Sequence, residues 1–343
     1  MKKFIFQCIA FSIPFIFIII SVILWDPFKV FFQYEDYYNS NIFGNRANTC
    51  LALFLKNNPQ RKYNSFIIGN SKSLAFRVHD WQQYFAADKN FSGFHFDGSN
   101  EGIYGMTKMI KFLSIHTDSL KNILLILDYH TFHDISNKNE HLFILPPSIS
   151  GESSITFYSK FIHASLDPKF IYYCIEYNLT KKYKPFMQNI LISPDALYNS
   201  DNLTGDIYSY QREKDINSDS IKYYREKIKN GVFYDRRIKV IPDDTMPLIT
   251  LARLKEIEKI CKQHNTNIKI VISPLYEQIS LGKKNLTTLN EIFGANNVFD
   301  FSGENEFTRD IGNYYEFSHY RPKVARTIMA KIYGNNTKSG SIK

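Results

Sequence analysis

The residues best suited to chemistry lie at two distant points of the chain. Early in the body the sequence reads Phe66-Ile67-Ile68-Gly69-Asn70-Ser71-Lys72-Ser73, an apolar strand, a Gly-x-Ser turn and the start of a helical pattern. Such a turn presents Ser71 at the carboxyl edge of a sheet. Its backbone N–H then lies at a helix start, where negative charge developing on a carbonyl oxygen is stabilised. Gly-Asn-Ser is also an ordinary turn, and Ser an ordinary helix cap. Near the C-terminus, Tyr314-Tyr315-Glu316-Phe317-Ser318-His319-Tyr320-Arg321-Pro322 follows a short strand. An acid three residues before a histidine sets carboxylate and imidazole on one turn. Glu316 then accepts from one ring nitrogen of His319 while the other faces a serine, the orienter and base of nucleophilic catalysis. Ser73 is the competing hydroxyl, but inside the first helical turn it faces away from the strand end.

A third stretch reads Leu127-Asp128-Tyr129-His130-Thr131-Phe132-His133-Asp134. His130, His133 and Asp134 have part of a zinc-site spacing, yet no Cys or further His joins them at ligand distance in sequence, and the expectation is no metal. Asp128 at a strand end, His130, Asn70 and Asn100 are the residues expected to line a cleft.

These groups need a scaffold that brings strand ends together. Short apolar runs alternate with helix-length amphipathic stretches, the pattern of an α/β sheet whose strands are buried on both faces. The predicted strands are Ser65 to Ile68, Gly93 to Phe96, Asn122 to Leu127, Ile268 to Ser273 and Val298 to Phe301. The predicted helices are Ser73 to Phe85, Tyr104 to His116, Pro247 to His264 and Pro322 to Ile332, the last with proline in a favourable first-turn position. A polar, aromatic-rich connector from Asp26 to about Asn64 precedes them. From about 134 to 244 the alternation breaks, and this stretch reads as a large, mainly helical insertion at the mouth of the sheet, where open α/β sheets bind ligands.

Composition bounds the rest. With 343 residues, 44% hydrophobic and 16% aromatic, the chain can bury a sizeable core, which excludes wholesale disorder. Its net charge of +9 comes from scattered residues rather than arms or blocks, so nucleic acid is not an expected partner. Lys2 and Lys3 precede Phe4 to Trp25, a run without charge that is long enough to cross a bilayer. No small-residue cleavage site follows it, and the reading is a retained signal anchor over residues 1–30, with 31–343 as the folded body. The positive-inside bias leaves the N-terminus cytoplasmic and the body periplasmic, a single-pass protein of the cell inner membrane. Cys50, Cys174 and Cys261 form no Cys-x-x-Cys pair; either three buried thiols or one disulfide is open.

Taken together, Gly69-Asn70-Ser71 and Glu316-Phe317-Ser318-His319 resemble the first and last blocks of the SGNH (GDSL-like) hydrolase superfamily. The likeness is strongest to its membrane-anchored branch associated with acylation of cell-surface polysaccharides, similar to the DltD and alginate acetylation proteins. The resemblance implies a three-layer, flavodoxin-like, mostly parallel sheet with helices on both faces. It implies a Ser71-His319-Glu316 triad, with the backbone N–H groups of Ser71 and Gly102 forming the oxyanion hole. Asn70 and Glu316 stand where the family commonly has Asp, and no Gly-x-Asn-Asp block follows the third strand, so a third oxyanion donor is unassigned. The implied activity is a serine esterase or O-acyltransferase, O-acetyl in particular, acting on a surface or secreted polysaccharide without cofactor. A membrane-embedded O-acyltransferase is the implied partner. The alternative is a catalytically silent accessory protein on the same fold that binds glycan or that partner.

Overall fold

The computed structural model describes residues 1–188, 190–193, 198–236 and 245–337. Its centre is a five-stranded, all-parallel sheet of β1 (Ser65–Ile68), β2 (Gly93–His95), β3 (Asn122–Leu127), β6 (Asn267–Ile272) and β7 (Val298–Asp300), in the spatial order β2-β1-β3-β6-β7. Every residue of β1, β2 and β3 is buried, because each strand is covered on both faces. Phe66, Ile68, Leu125 and Ile270 pack on one face against the helices Arg46–Arg61, Ile103–His116, Leu248–Gln263 and Lys283–Phe293. Ile67, Leu124, Ile126 and Val271 pack on the other face against Trp81 and the helix Pro322–Thr337. The molecule is therefore an α/β protein with a parallel sheet between two helical layers, and β1 and β3 sit at its middle, where the strand order reverses and ligand crevices form.

Two predicted elements are corrected. The connector from Asp26 to Asn64 holds a sixteen-residue helix, Arg46–Arg61, capped by Asn45, whose side chain accepts from the Asn48 N–H at 2.8 Å. Ser73 to Phe85 is not one helix. A 3-10 turn, Ser71–Ala75, breaks at the extended residues Phe76 and Arg77 before the short helix Val78–Gln82. The other predicted strands and helices fall within a few residues of their expected bounds, the last helix running on to Thr337.

The long interval between β3 and β6 contains the helices Ser154–Ser165, Pro168–Thr180, Tyr210–Ser218 and Ser220–Lys229, and also an antiparallel hairpin, β4 (Asn199–Asp201) with β5 (Asp206–Tyr208). The boundary expected near residue 244 lies outside the described residues. A satellite core joins this interval to the segment after the N-terminal helix through Phe28, Val30, Phe157, Phe161 and Phe170.

The N-terminal helix, Lys2–Trp25, is long and apolar enough to cross a membrane, and large side chains along it, among them Phe4, Phe6, Phe11, Phe15 and Phe17, are exposed, unlike those of a core helix. Asp26 ends it in the left-handed conformation, and its carboxylate accepts from the N–H groups of Val30 and Phe31, both at 2.9 Å, and from the Tyr34 hydroxyl at 2.8 Å. That fastens the end of the apolar helix to the body. Cys50, Cys174 and Cys261 are buried free thiols, so the disulfide alternative is not realised among them.

Candidate active site

The turn after β1 is held by side chains rather than by helix. Asn70, buried and extended, accepts from the Lys72 N–H at 3.0 Å through Oδ1 and donates through Nδ2 to Asp128 Oδ2 at 3.0 Å. Lys72 Nζ lies 3.2 Å from the same Asp128 oxygen, while Asp128 Oδ1 accepts from the N–H groups of His130 at 2.8 Å and Thr131 at 3.0 Å. Burial pushes the Asp128 carboxyl up, but the Lys72 charge and these donors outweigh it and hold the group below its ordinary range. Gly69 lets the turn close: a Cβ there would come within 2.7 Å of Ser73 Cβ and 3.1 Å of Ile126 Cβ. Ser71, half-buried, begins the 3-10 turn at the tip of this arrangement.

The acid and the histidine come from a second hairpin, β8 (Tyr314–Glu316) with β9 (His319–Tyr320), in which Glu316 is paired with His319 across the two-residue turn Phe317-Ser318. The cross-strand pairing brings the longer Glu side chain into reach, and His319 Nδ1 hydrogen-bonds Glu316 Oε1. Glu316 Oε2 accepts from the Ser318 N–H at 2.8 Å and its hydroxyl at 2.7 Å, and Arg212 Nη1 lies 3.7 Å from Oε1. Burial raises the Glu316 carboxyl, but the His319 hydrogen bond and charge, with the two Ser318 donors, outweigh it and bring it down to about 2. Glu316 is thus an anion that fixes Nδ1, and Nε2 is the nitrogen left for a hydroxyl.

Ser71 and His319 meet at one hollow. Both line a cavity of about 400 Å³, walled largely by Tyr37, Tyr38, Phe43, Leu142 and Phe143, and both also line a smaller recess with Tyr198, Arg212 and Tyr315. One wall of the larger cavity is the segment from Tyr37 to Gly44, which sequence reasoning treated as a connector.

The remaining predicted residues divide. Asn100 lines the cavity, in the left-handed conformation at φ 53°, beside Ser99. Gly102 does not line it: its N–H donates to Glu101 Oε1 at 3.0 Å, and a Cβ there would strike Asp134 at 2.3 Å, so the expected oxyanion donor is spent inside the fold. Asn70 and Asp128 brace the turn instead of lining the cleft. The His130 side chain is exposed and outside the cavity, and only its backbone serves Asp128. Among the described residues no group of three or more His, Cys, Asp or Glu side chains is arranged to hold a metal.

Ser73 belongs to another chain of hydrogen bonds. Its Oγ donates to the Asn70 carbonyl at 2.7 Å and meets His95 Nε2 at 2.8 Å, while His95 Nδ1 meets Asp206 Oδ1 at 3.1 Å. This has the connectivity of a Ser-His-Asp triad, yet all three residues are buried and the hydroxyl is already committed to a carbonyl. It ties the β4-β5 hairpin to the Ser71 turn.

Sequence reasoning also missed the brace behind the base. Arg321 grips Glu213 through Nε at 3.0 Å and Nη2 at 2.8 Å, the Tyr223 hydroxyl donates to the Tyr315 carbonyl at 2.9 Å, and the Tyr224 hydroxyl donates to the Tyr314 carbonyl at 3.0 Å. Glu213, Tyr223, Tyr224 and Arg212 come from about one hundred residues upstream in sequence, with no local motif to mark them.

No protein-family model and no curated protein sequence matches the chain. A half-buried hydroxyl at a strand tip, an imidazole oriented by a carboxylate, and a shared, mainly apolar cavity can together carry out acyl transfer.

Proposed function

We propose that the protein is an extracytoplasmic serine esterase or O-acyltransferase, an O-acetyl enzyme in particular, that acts on a cell-surface or secreted polysaccharide through Ser71, His319 and Glu316. The single observation that carries this reading is that Ser71 and the Glu316-oriented His319 line one cavity. The resemblance to the SGNH superfamily, with the membrane-capable helix and the 2-1-3-4-5 order of the parallel strands, supports it.

Ser71 Oγ attacks the acyl carbonyl as its proton passes to His319 Nε2, forming a seryl ester once the donor C–O bond breaks. His319 returns the proton to the departing alkoxide. Water or a sugar hydroxyl then attacks the seryl ester, gives its proton to His319, and Ser71 regains it as the new acid or ester leaves. Glu316 orients the imidazole and stabilises its cation. The oxyanion falls to the Ser71 N–H and, in place of Gly102, to Asn100 on the facing loop. Aromatic faces at Tyr37, Tyr38 and Phe43 suit a sugar ring, and the chemistry needs neither metal nor cofactor. The N-terminal helix would hold the body at the outer face of the inner membrane, beside a membrane-embedded acyl donor or O-acyltransferase.

A second reading, a catalytically silent accessory protein that binds glycan or such a partner, is favoured by the occupied Gly102 N–H. Turnover of 4-nitrophenyl acetate by the full chain in detergent separates the two. The enzyme reading expects hydrolysis that falls at least about a thousandfold in Ser71→Ala and in His319→Ala. Equal background rates in all three proteins favour the accessory reading.

A further inference from the structure

Beside the exit of the N-terminal helix, two further helices each carry an apolar stripe that the described residues leave largely exposed. On Ser154–Ser165, Phe157 and Phe161 point into the satellite core, while Ile155, 83% exposed, Tyr158 and Ile162, continued by the C-cap Leu166, follow one another along another face. On Pro168–Thr180, Phe170 and Tyr173 are buried, and Tyr172, Ile175 and Leu179, the last 79% exposed, recur at three- and four-residue steps. The exposed Phe186 ring stacks on Tyr172 with centroids 6.3 Å apart. Unpartnered stripes of this size on adjacent helices are an interaction surface.

Their position says what covers them. The Trp25 ring, at the last residue of the membrane-capable helix, packs on Phe170 with centroids 5.7 Å apart, and Phe31 stacks on Tyr158 at 5.5 Å. The two helices thus stand where the apolar helix leaves hydrocarbon. With twelve and thirteen residues they are only about 18 to 20 Å long, too short to span a bilayer. From Ser153 to Gln188 the chain carries five lysines, at 160, 169, 181, 182 and 184, against Asp167 and Glu176, the balance that an anionic headgroup layer attracts.

We infer that these two helices lie in the interface of the bilayer that holds the N-terminal helix and form a second, in-plane membrane contact. A single anchor leaves the body free to swivel. The second contact fixes its orientation and holds the cavity wall from Tyr37 to Gly44, which begins twelve residues after the end of the anchor helix at Trp25, close to the membrane surface.

The test uses the full chain in vesicles of phosphatidylcholine and phosphatidylglycerol. An environment-sensitive fluorophore is attached in turn to Ile155→Cys, Leu179→Cys and Asn296→Cys, the labelling of the unsubstituted protein being subtracted. Asn296 precedes β7 and so lies at the sheet edge opposite the strand tips. The expected result is that lipids brominated near the headgroup quench the labels at 155 and 179 at least twofold while aqueous iodide does not, with the reverse at 296. Iodide quenching at 155 and 179 equal to that at 296 overturns the inference. So does shielding from both quenchers, which would mean that protein covers the surface.

Discussion

Ser71 and His319 come from the first and last segments of the body, yet their side chains line the same cavity. Ser71 arrives on the turn after a central strand, and His319 on a hairpin leading into the final helix. Parallel strand order makes this convergence possible, because all five strands deliver their carboxyl ends to one edge. The turn that carries Ser71 is braced by Asn70 and Asp128, the imidazole by Glu316, and the hairpin by Glu213 and the tyrosines at 223 and 224.

Two serines compete for the role of nucleophile, and their surroundings separate them. Ser73 is fully buried and gives its proton to a carbonyl, so Ser73→Ala is expected to keep acyl-transfer activity within about tenfold while costing roughly 1–2 kcal/mol of stability from the unpaired His95 and Asn70 groups. Denaturant melts and ester turnover on the same preparations check this. Loss of activity in Ser73→Ala without unfolding would move the nucleophile to the wrong side of the turn.

The Glu316 carboxyl sits at about 2 in the folded protein against an ordinary 4.5. The folded state has the lower value, so the unfolded chain takes up the proton first as pH falls. The stabilisation is complete above about pH 4.5 and disappears as pH drops toward 2; its size is roughly 3 kcal/mol. Stability curves of the wild type and Glu316→Gln should therefore differ at pH 6 and converge near pH 2. Parallel curves across that range would show that the carboxylate is not held by His319 and Ser318.

Asn70 occupies a place where the resembled family commonly has Asp, and here the change would be harmful. Asn70→Asp would set a second carboxylate about 3.0 Å from buried Asp128, where two negative charges cannot both be held. The expected outcome is a loss of roughly 1–3 kcal/mol at pH 7 that shrinks as pH is lowered. An unchanged or higher melting temperature would mean that the hydrogen bond from Asn70 to Asp128 does not brace the turn.

Asn100 is assigned the donor role vacated by Gly102. Asn100→Ala is expected to lower kcat about a hundredfold with little change in KM, as removal of one oxyanion donor does elsewhere. A change confined to KM would make Asn100 a substrate contact only.

The strands were legible because burial on both faces leaves unbroken apolar runs such as Ile123-Leu124-Leu125-Ile126-Leu127. The Ser71 turn and the Glu316-His319 pair were legible because each is local in sequence. The helix Arg46–Arg61 was hidden by Asn57, Asn58 and Pro59, although Ala47, Cys50, Leu51 and Phe54 already trace a buried face. The break after Ser71–Ala75 was not readable, since it depends on Ser73 reaching His95 of another strand. Gly102 looked available because the carboxylate that takes its N–H belongs to the residue beside it, Glu101, and no periodicity reveals such a fold. Arg212, Glu213 and the cavity wall from Tyr37 to Phe43 were missed because their relation to the site is purely tertiary.

The most direct measurement is covalent labelling of the full chain with a fluorophosphonate, followed by peptide mapping of the adduct. One adduct is expected, on the Ser71 hydroxyl, abolished in Ser71→Ala, slowed at least about a thousandfold in His319→Ala and retained in Ser73→Ala. A folded protein that takes up no label, or one labelled elsewhere with Ser71 untouched, would contradict it.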